Sequence, residues 1–295
     1  MSSKFVIGIQ NGPLGSRSIE EQFKAAAKLG AETLEFYSQA GTTIWKNHDK
    51  IKGLVAETGV QVGAMFSSGS LVGSDEKVKA ERKHAEAVME FCQAHDIPLM
   101  TCNMGYDSNV KGDWLSDIGP FYQQMDVVDE TFLPLGDFAK DHGVKISIEN
   151  CPHGGRNLWS IPRAIVEMCE NLFEDSTPIG FEFDPSHLVW QFVDFYAFTE
   201  KMAKMNRIYS IHAKDIVVWK EKLAPYGFYM NPDIWWRFTV PGKGDIDWKK
   251  FFKCAKPALT TDIPVFVEHE DPNYKGDKVM EGFEISLATL RKALE

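Results

Sequence analysis

No stretch of the chain approaches the roughly 18 consecutive apolar residues of a membrane-spanning helix, so no membrane partner is expected. Basic residues are also scarce, with 32 Lys+Arg against 42 Asp+Glu and a formal charge of −10. A phosphate backbone would need a basic face, so no nucleic-acid partner is expected either. The five cysteines, Cys92, Cys102, Cys151, Cys169 and Cys254, are odd in number and include no C-x-x-C pair. That argues against a disulfide framework and a thiolate zinc site, and it fits a reducing cytoplasm. Internal repeats and low-complexity tracts are lacking as well. The opening MSSKFVIGIQ holds one lysine and a short apolar run without a cleavage-like segment, so a soluble, unprocessed, cytoplasmic chain is expected.

What is present is a globular composition, 44% hydrophobic and 25% charged, sufficient for a sizeable core. Short β-branched or aromatic runs recur at 5–10 (FVIGIQ), 33–37 (TLEFY), 61–66 (QVGAMF), 98–103 (PLMTCN), 145–150 (KISIEN), 179–184 (IGFEFD), 208–213 (IYSIHA) and 264–268 (PVFVE). Each is followed by a segment of helical period, near 18–29, 44–58, 75–95, 121–142, 160–174, 192–205, 247–256 and 277–294. Strands alternating with helices imply a parallel sheet with crossover helices. Eight such alternations without a linker favour an α/β fold of the (β/α)8 TIM barrel type, as a single domain over 1–295, against a doubly wound open sheet.

One segment departs from this spacing. Residues 215–246, after the seventh strand, exceed an ordinary βα loop and carry Trp219, Tyr226, Phe228, Tyr229, Trp235, Trp236 and Phe238. Long βα loops lie on the catalytic face of this fold. So many large aromatics would form an apolar patch that monomers rarely expose. A lid, a subunit contact and a homo-oligomer are therefore expected.

Four consecutive strands finish on a metal-competent side chain: Glu149 in ISIEN, Asp184 in FEFDPSH, His212 in YSIHAKD and Glu268 in VFVEHED. Side chains alternate faces along a strand. If Ile146, Ile148, Phe181, Phe183, Tyr209, Ile211, Val265 and Val267 pack on the helices, the four polar groups face the barrel axis at the C-terminal mouth. Three carboxylates in such a space repel one another unless a cation joins them. Three oxygen donors with one imidazole suit one divalent metal ion of fairly hard character: Mn2+ first, then Mg2+ or Co2+, with Zn2+ as a further option.

The segments IEN, FDPSH, HAKD and VEHED, in this order at the ends of strands five to eight, resemble the xylose-isomerase-like TIM barrels of the sugar phosphate isomerase/epimerase superfamily. That superfamily includes ketohexose 3-epimerases, inosose dehydratases and isomerases, and the endonuclease IV group. The resemblance implies that Glu149 and Glu268 are ligands and also the acid/base pair, that Asp184 and His212 are ligands, and that His187 contacts a substrate oxygen. It implies a small-molecule sugar or polyol substrate and proton transfer through a metal-stabilised enediolate. One site of this kind supports isomerisation, epimerisation and dehydration alike. A lyase or isomerase of a keto-inositol or a 3-keto-glycoside is thus the alternative, ahead of an endonuclease IV-like nuclease or a non-catalytic sugar-binding barrel.

Two features depart from the ketohexose epimerases. Their second glutamate after the first ligand is replaced by the loop IENCPHGGRN with His153 and Arg156, and their arginine after the histidine motif falls where this chain has Ile216 to Trp219. Arg237 could substitute if the long segment folds back. Glu35 ends the second strand with inward parity, as a substrate contact or a barrel-core carboxylate. Lys214 and Asp215 orient the site or pair with each other. Trp159, Trp190, Trp235 and Trp236 offer flat faces for a sugar, with Trp236 and Arg237 named as lid contacts. PGKG at 241–244 reads as a turn before a helix capped by Asp245 or Asp247, in preference to a phosphate loop.

Overall fold

The computed structural model describes residues 3–38, 43–152, 156–227 and 233–295, so His153, Phe228 and Tyr229 lie outside the described residues. The strands are β1 (Phe5–Gln10), β2 (Thr33–Tyr37), β3 (Gln61–Ser67), β4 (Leu99–Cys102), β5 (Lys145–Glu149), β6 (Ile179–Phe183), β7 (Ile208–Ala213), β8 (Asp215–Val218), β9 (Trp236–Thr239) and β10 (Ile263–Val267). Eight of them close a barrel in the order β1-β10-β7-β6-β5-β4-β3-β2, while β8 and β9 form a separate two-stranded sheet. The (β/α)8 expectation is met. No helix among the described residues is long and apolar enough to cross a membrane.

By contact the chain groups into two compact units, one of Met1–Phe36, Asn47–Val62 and Phe183–Glu295, the other of Tyr37–Lys46 and Gly63–Glu182. In the first, β1 pairs in parallel with β10 and with β2, and β10 with β7. Gly8 lies opposite Thr33, where an added Cβ would come within 2.0 Å of the Thr33 carbonyl oxygen, so the β1–β2 pairing requires glycine there. Helix Ile19–Lys28 starts at a capping box, Ser18 with Glu21, and turns Phe23 onto Phe36 at 5.9 Å between ring centres. Helix Trp248–Ala255 buries Phe251 against Phe183 at 5.7 Å and Phe252 against Phe5 at 4.9 Å. The odd members of β1 and β6 thus face helices, as parity requires.

In the second unit β3, β4, β5 and β6 pair in parallel in that order, with Glu149 opposite Glu182. Trp159, read as a possible sugar platform, is fully buried against Phe173 and Phe181. The helix expected over 121–142 is two, Ile118–Thr131 and Leu133–Asp141. Pro134 lacks the donor that would continue the first and its ring would strike the preceding turn.

The 215–246 segment is more ordered than a loop. β8 and β9 pair antiparallel, Asp215 opposite Thr239 and Val218 opposite Trp236, with a short helix Lys220–Tyr226 after β8. Asp215 ties this ribbon to the following helix. Fully buried, its carboxylate accepts from the Ile216, Gly242 and Ile246 backbone N–H groups and from Trp248 Nε1, at 2.9, 3.0, 3.2 and 3.1 Å. Gly244 passes so close that an added Cβ would sit 2.2 Å from Asp215 Oδ1. The PGKG stretch is therefore a turn folded around an internal carboxylate, and Asp247 caps the helix through Lys250 N at 3.0 Å. Burial raises the Asp215 carboxyl above its ordinary value, opposed by the donors that favour its charge. The folded chain then holds that proton more tightly than the unfolded chain, so stability falls as pH rises from the unfolded value through the folded one. Asp215→Ala should cost about 3 kcal/mol by stranding several buried donors. Chemical denaturation checks this, and a loss under about 1 kcal/mol would show that the donors find other partners.

Candidate metal centre

The DPSH motif arranges Asp184 locally. Its Oδ1 accepts from the Ser186 backbone N–H at 2.8 Å and from Ser186 Oγ at 2.6 Å, which turns Oδ2 toward Lys214 Nζ at 3.1 Å and His187 Nε2 at 3.4 Å. Pro185 starts the short helix Ser186–Val189 that carries His187, with φ −67°. Two residues past β7's His212, Lys214 reaches Glu268 Oε2 at 2.6 Å and Glu270 Oε2 at 3.1 Å. Lys214 is only 2% exposed.

Both imidazoles are held between charged side chains. His212 Nε2 lies 2.7 Å from Glu35 Oε2. Its Nδ1 lies 3.3 Å from Glu268 Oε2, so the ring spans two carboxylates. Lys214 Nζ lies 3.3 Å from His187 Nε2. That nitrogen stands between this ammonium and the Asp184 carboxylate, 3.4 Å away.

The structure thus gathers Asp184, His187, His212, Lys214 and Glu268 as the motifs suggested. Glu35, named among the substrate contacts, is 0% exposed and sits behind His212, which makes it an orienting partner of the imidazole. Lys214 and Asp215 do not serve each other: Lys214 turns to the carboxylates and Asp215 to the ribbon. Glu149 ends β5 at 5% exposure, next to the fully buried Glu182 on β6. Burial pushes the Cys102 thiol up, and the charges of Glu182 and Glu149 push it further, so this thiol is neutral and unreactive.

Trp236 stacks on Trp190 with ring centres 5.1 Å apart and planes 2° from parallel, and meets Phe238 edge-on at 4.9 Å. Trp235, 1% exposed, stacks on Phe192 at 5.9 Å. These contacts shield two of the seven aromatics within the chain and remove that part of the argument for a homo-oligomer. Tyr226 remains 55% exposed. Arg237 stands over the Trp219 ring at 5.4 Å.

Sequence reasoning missed two carboxylates. Glu182 shares the inward parity of Asp184 and was available from it. Glu270 follows β10 in a loop, where no periodicity assigns a direction.

The residues present fit a divalent cation. Lys214 brings a single positive charge to Asp184, Glu268 and Glu270, and the buried Glu35 adds another negative group behind His212. The surplus is acidic, His212 Nδ1 is aimed at Glu268, and a carboxylate behind a ligating histidine is the usual second support of such sites.

Three solved structures share the fold. The IOLI protein with a bound zinc atom is 16% identical over 100% of this chain and 98% of its own, with a TM-score of 0.75. The 3-keto-D-glucoside 4-epimerase YcjR from E. coli is 16% identical over 98% and 100%, at 0.66. The probable 3-DHS dehydratase AsbF from Bacillus anthracis is 10% identical over 99% of each, at 0.72. No curated protein matches the chain. The profile of one family matches residues 23–293, nearly the whole length, and on that match the chain belongs to the xylose isomerase-like TIM barrel family.

Proposed function

We propose that the chain is a divalent-metal-dependent isomerase or epimerase of a sugar or polyol, with Glu149, Asp184, His212 and Glu268 as the ligands of one ion. The observation that carries this reading is that Asp184, His212 and Glu268 converge, with Lys214 Nζ 3.1 Å from Asp184 Oδ2 and 2.6 Å from Glu268 Oε2, and His212 Nδ1 3.3 Å from Glu268 Oε2. The donor set of three carboxylates and one imidazole favours Mn2+, then Mg2+ or Co2+. Zn2+ stays open, since the similar IOLI protein binds it.

An ion bound there supplies the positive charge that makes a hydrogen beside a carbonyl acidic enough for a carboxylate to remove. Glu149 and Glu268 act as the acid/base pair, one taking a proton from carbon and the other returning one. Return to the opposite face of the same carbon gives epimerisation; return to the neighbouring carbon gives isomerisation. Glu35 holds the His212 ring through Nε2 and leaves Nδ1 to face the ion. Lys214, donating to Glu268 Oε2 at 2.6 Å, holds that carboxylate in position. His187 offers its ring to a substrate hydroxyl. A second reading, elimination of water or an aglycone from an oxidised cyclic substrate, is favoured by the dehydratase among the similar structures.

The test is incubation of the Mn2+-loaded chain with ketohexoses, inososes and 3-keto-glycosides in deuterated water. Metal-dependent deuterium beside the carbonyl of at least one substrate is expected. No exchange in any of them contradicts proton transfer, and mass loss of water or aglycone selects elimination.

A further inference from the structure

Beside the ligand cluster lies a cavity of about 330 Å³ lined by Asp233, Trp236, Arg237, Phe238, Glu270 and Lys275. Two of these side chains also border the ligands. The Phe238 ring lies 4.6 Å below Lys214 Nζ and meets the His187 ring edge-on at 5.2 Å. Glu270 Oε2 is 3.1 Å from the same ammonium, which in turn touches Glu268. The cavity and the ligand cluster thus share Phe238 and Glu270 as neighbours.

The lining has the chemistry of sugar recognition. Trp236, one face of which is stacked on Trp190, and Phe238 give the cavity aromatic lining, and amphipathic sugar rings lie well on such surfaces. Around it stand two carboxylates, Asp233 and Glu270, and two cations, Arg237 and Lys275, so the rim carries no net charge and both accepts and donates hydrogen bonds. A phosphate or carboxylate would meet the two acidic groups as well as the two basic ones. Neighbouring hydroxyls can use both. Arg237 Nε is buried and has no hydrogen-bond partner among the described residues, a costly condition for a donor. The cavity is at the small end of ligand sites, room for one ring-sized unit.

We propose that this cavity is a second subsite, which holds a neutral polyhydroxylated ring joined to the reacting unit, so that the substrate is a two-ring glycoside. The inference rests on the proposed metal site as the seat of the reacting unit. Trp236 and Arg237 then belong to substrate recognition and not to the chemical step.

Calorimetric titration of the Mn2+-loaded chain with methyl β-D-glucopyranoside, cellobiose, maltose and trehalose tests it. At least one disaccharide should bind tenfold or more tightly than the methyl glucoside. Arg237→Ala should abolish that advantage while leaving the methyl glucoside affinity and the metal content unchanged. If Arg237→Ala fails to fold, judged by its melting curve, Lys275→Ala on the exposed rim carries the same expectation. No disaccharide advantage, or an equal loss for both classes of sugar, overturns the subsite. Failure here with metal-dependent deuterium exchange intact leaves the proton-transfer reading standing; absence of that exchange removes the reading itself.

Discussion

Glu149→Gln and Glu268→Gln should each lower kcat by about 1,000-fold or more, with melting temperatures close to that of the parent chain. The amide keeps the volume and one carbonyl oxygen, so packing at the 5% exposed Glu149 and the 9% exposed Glu268 is preserved. What it loses is the ability to accept a proton from carbon, and a loss of that size corresponds to about 4 kcal/mol of transition-state stabilisation. For Glu268 the amide also weakens the contact with Lys214. The effect should fall on kcat more than on KM, because substrate hydroxyls still meet His187 and the remaining ligands. Steady-state kinetics on both variants decide the matter. If both retain more than about a tenth of parental kcat, neither residue is the acid/base.

The second large effect is expected at His212. His212→Ala removes the one nitrogen donor and should abolish tight metal binding, while also destabilising the fold by about 3 kcal/mol because the fully buried Glu35 loses its imidazole partner. Glu35→Gln separates the two consequences. It leaves the ligand in place but lets the ring rotate or change tautomer, so metal affinity should drop about 10- to 100-fold. Equilibrium dialysis with metal analysis reads both variants. Unchanged metal content in His212→Ala would remove this residue from the ligand set, and unchanged affinity in Glu35→Gln would reduce Glu35 to a packing group.

The strands were legible because a parallel barrel imposes its own pattern. Runs such as FVIGIQ and IYSIHA are apolar on the helix-facing side and end in polar groups, so period and parity can be read without any knowledge of partners. Helix starts were less legible. The segment expected from 192 begins at Phe195, since Phe192 adopts φ 59° and Asp194 supplies the cap to Ala197 N at 3.1 Å. The ribbon escaped notice for a different reason. DIVV and WRFT are four residues each and pair only with each other, and neither alternates long enough to declare a strand.

At the site, Glu149, Asp184, His212 and Glu268 stood out because they share one parity on consecutive strands. Glu35 has the same parity on β2, but its role depends on which residue meets it, a non-local fact that spacing does not encode. The same holds for Trp236, whose parallel stack with Trp190 joins two segments 46 residues apart in the sequence.

Four strand-end side chains are proposed to hold one divalent cation. Titration of the metal-stripped chain with Mn2+, followed by calorimetry and electron paramagnetic resonance, tests it most directly. One tight site per chain is expected in the parent protein and none in Asp184→Ala, whose Ser186 contact is confined to a short helix and leaves the barrel strands intact. No binding by the parent chain, a stoichiometry of three, or undiminished binding by Asp184→Ala would contradict it.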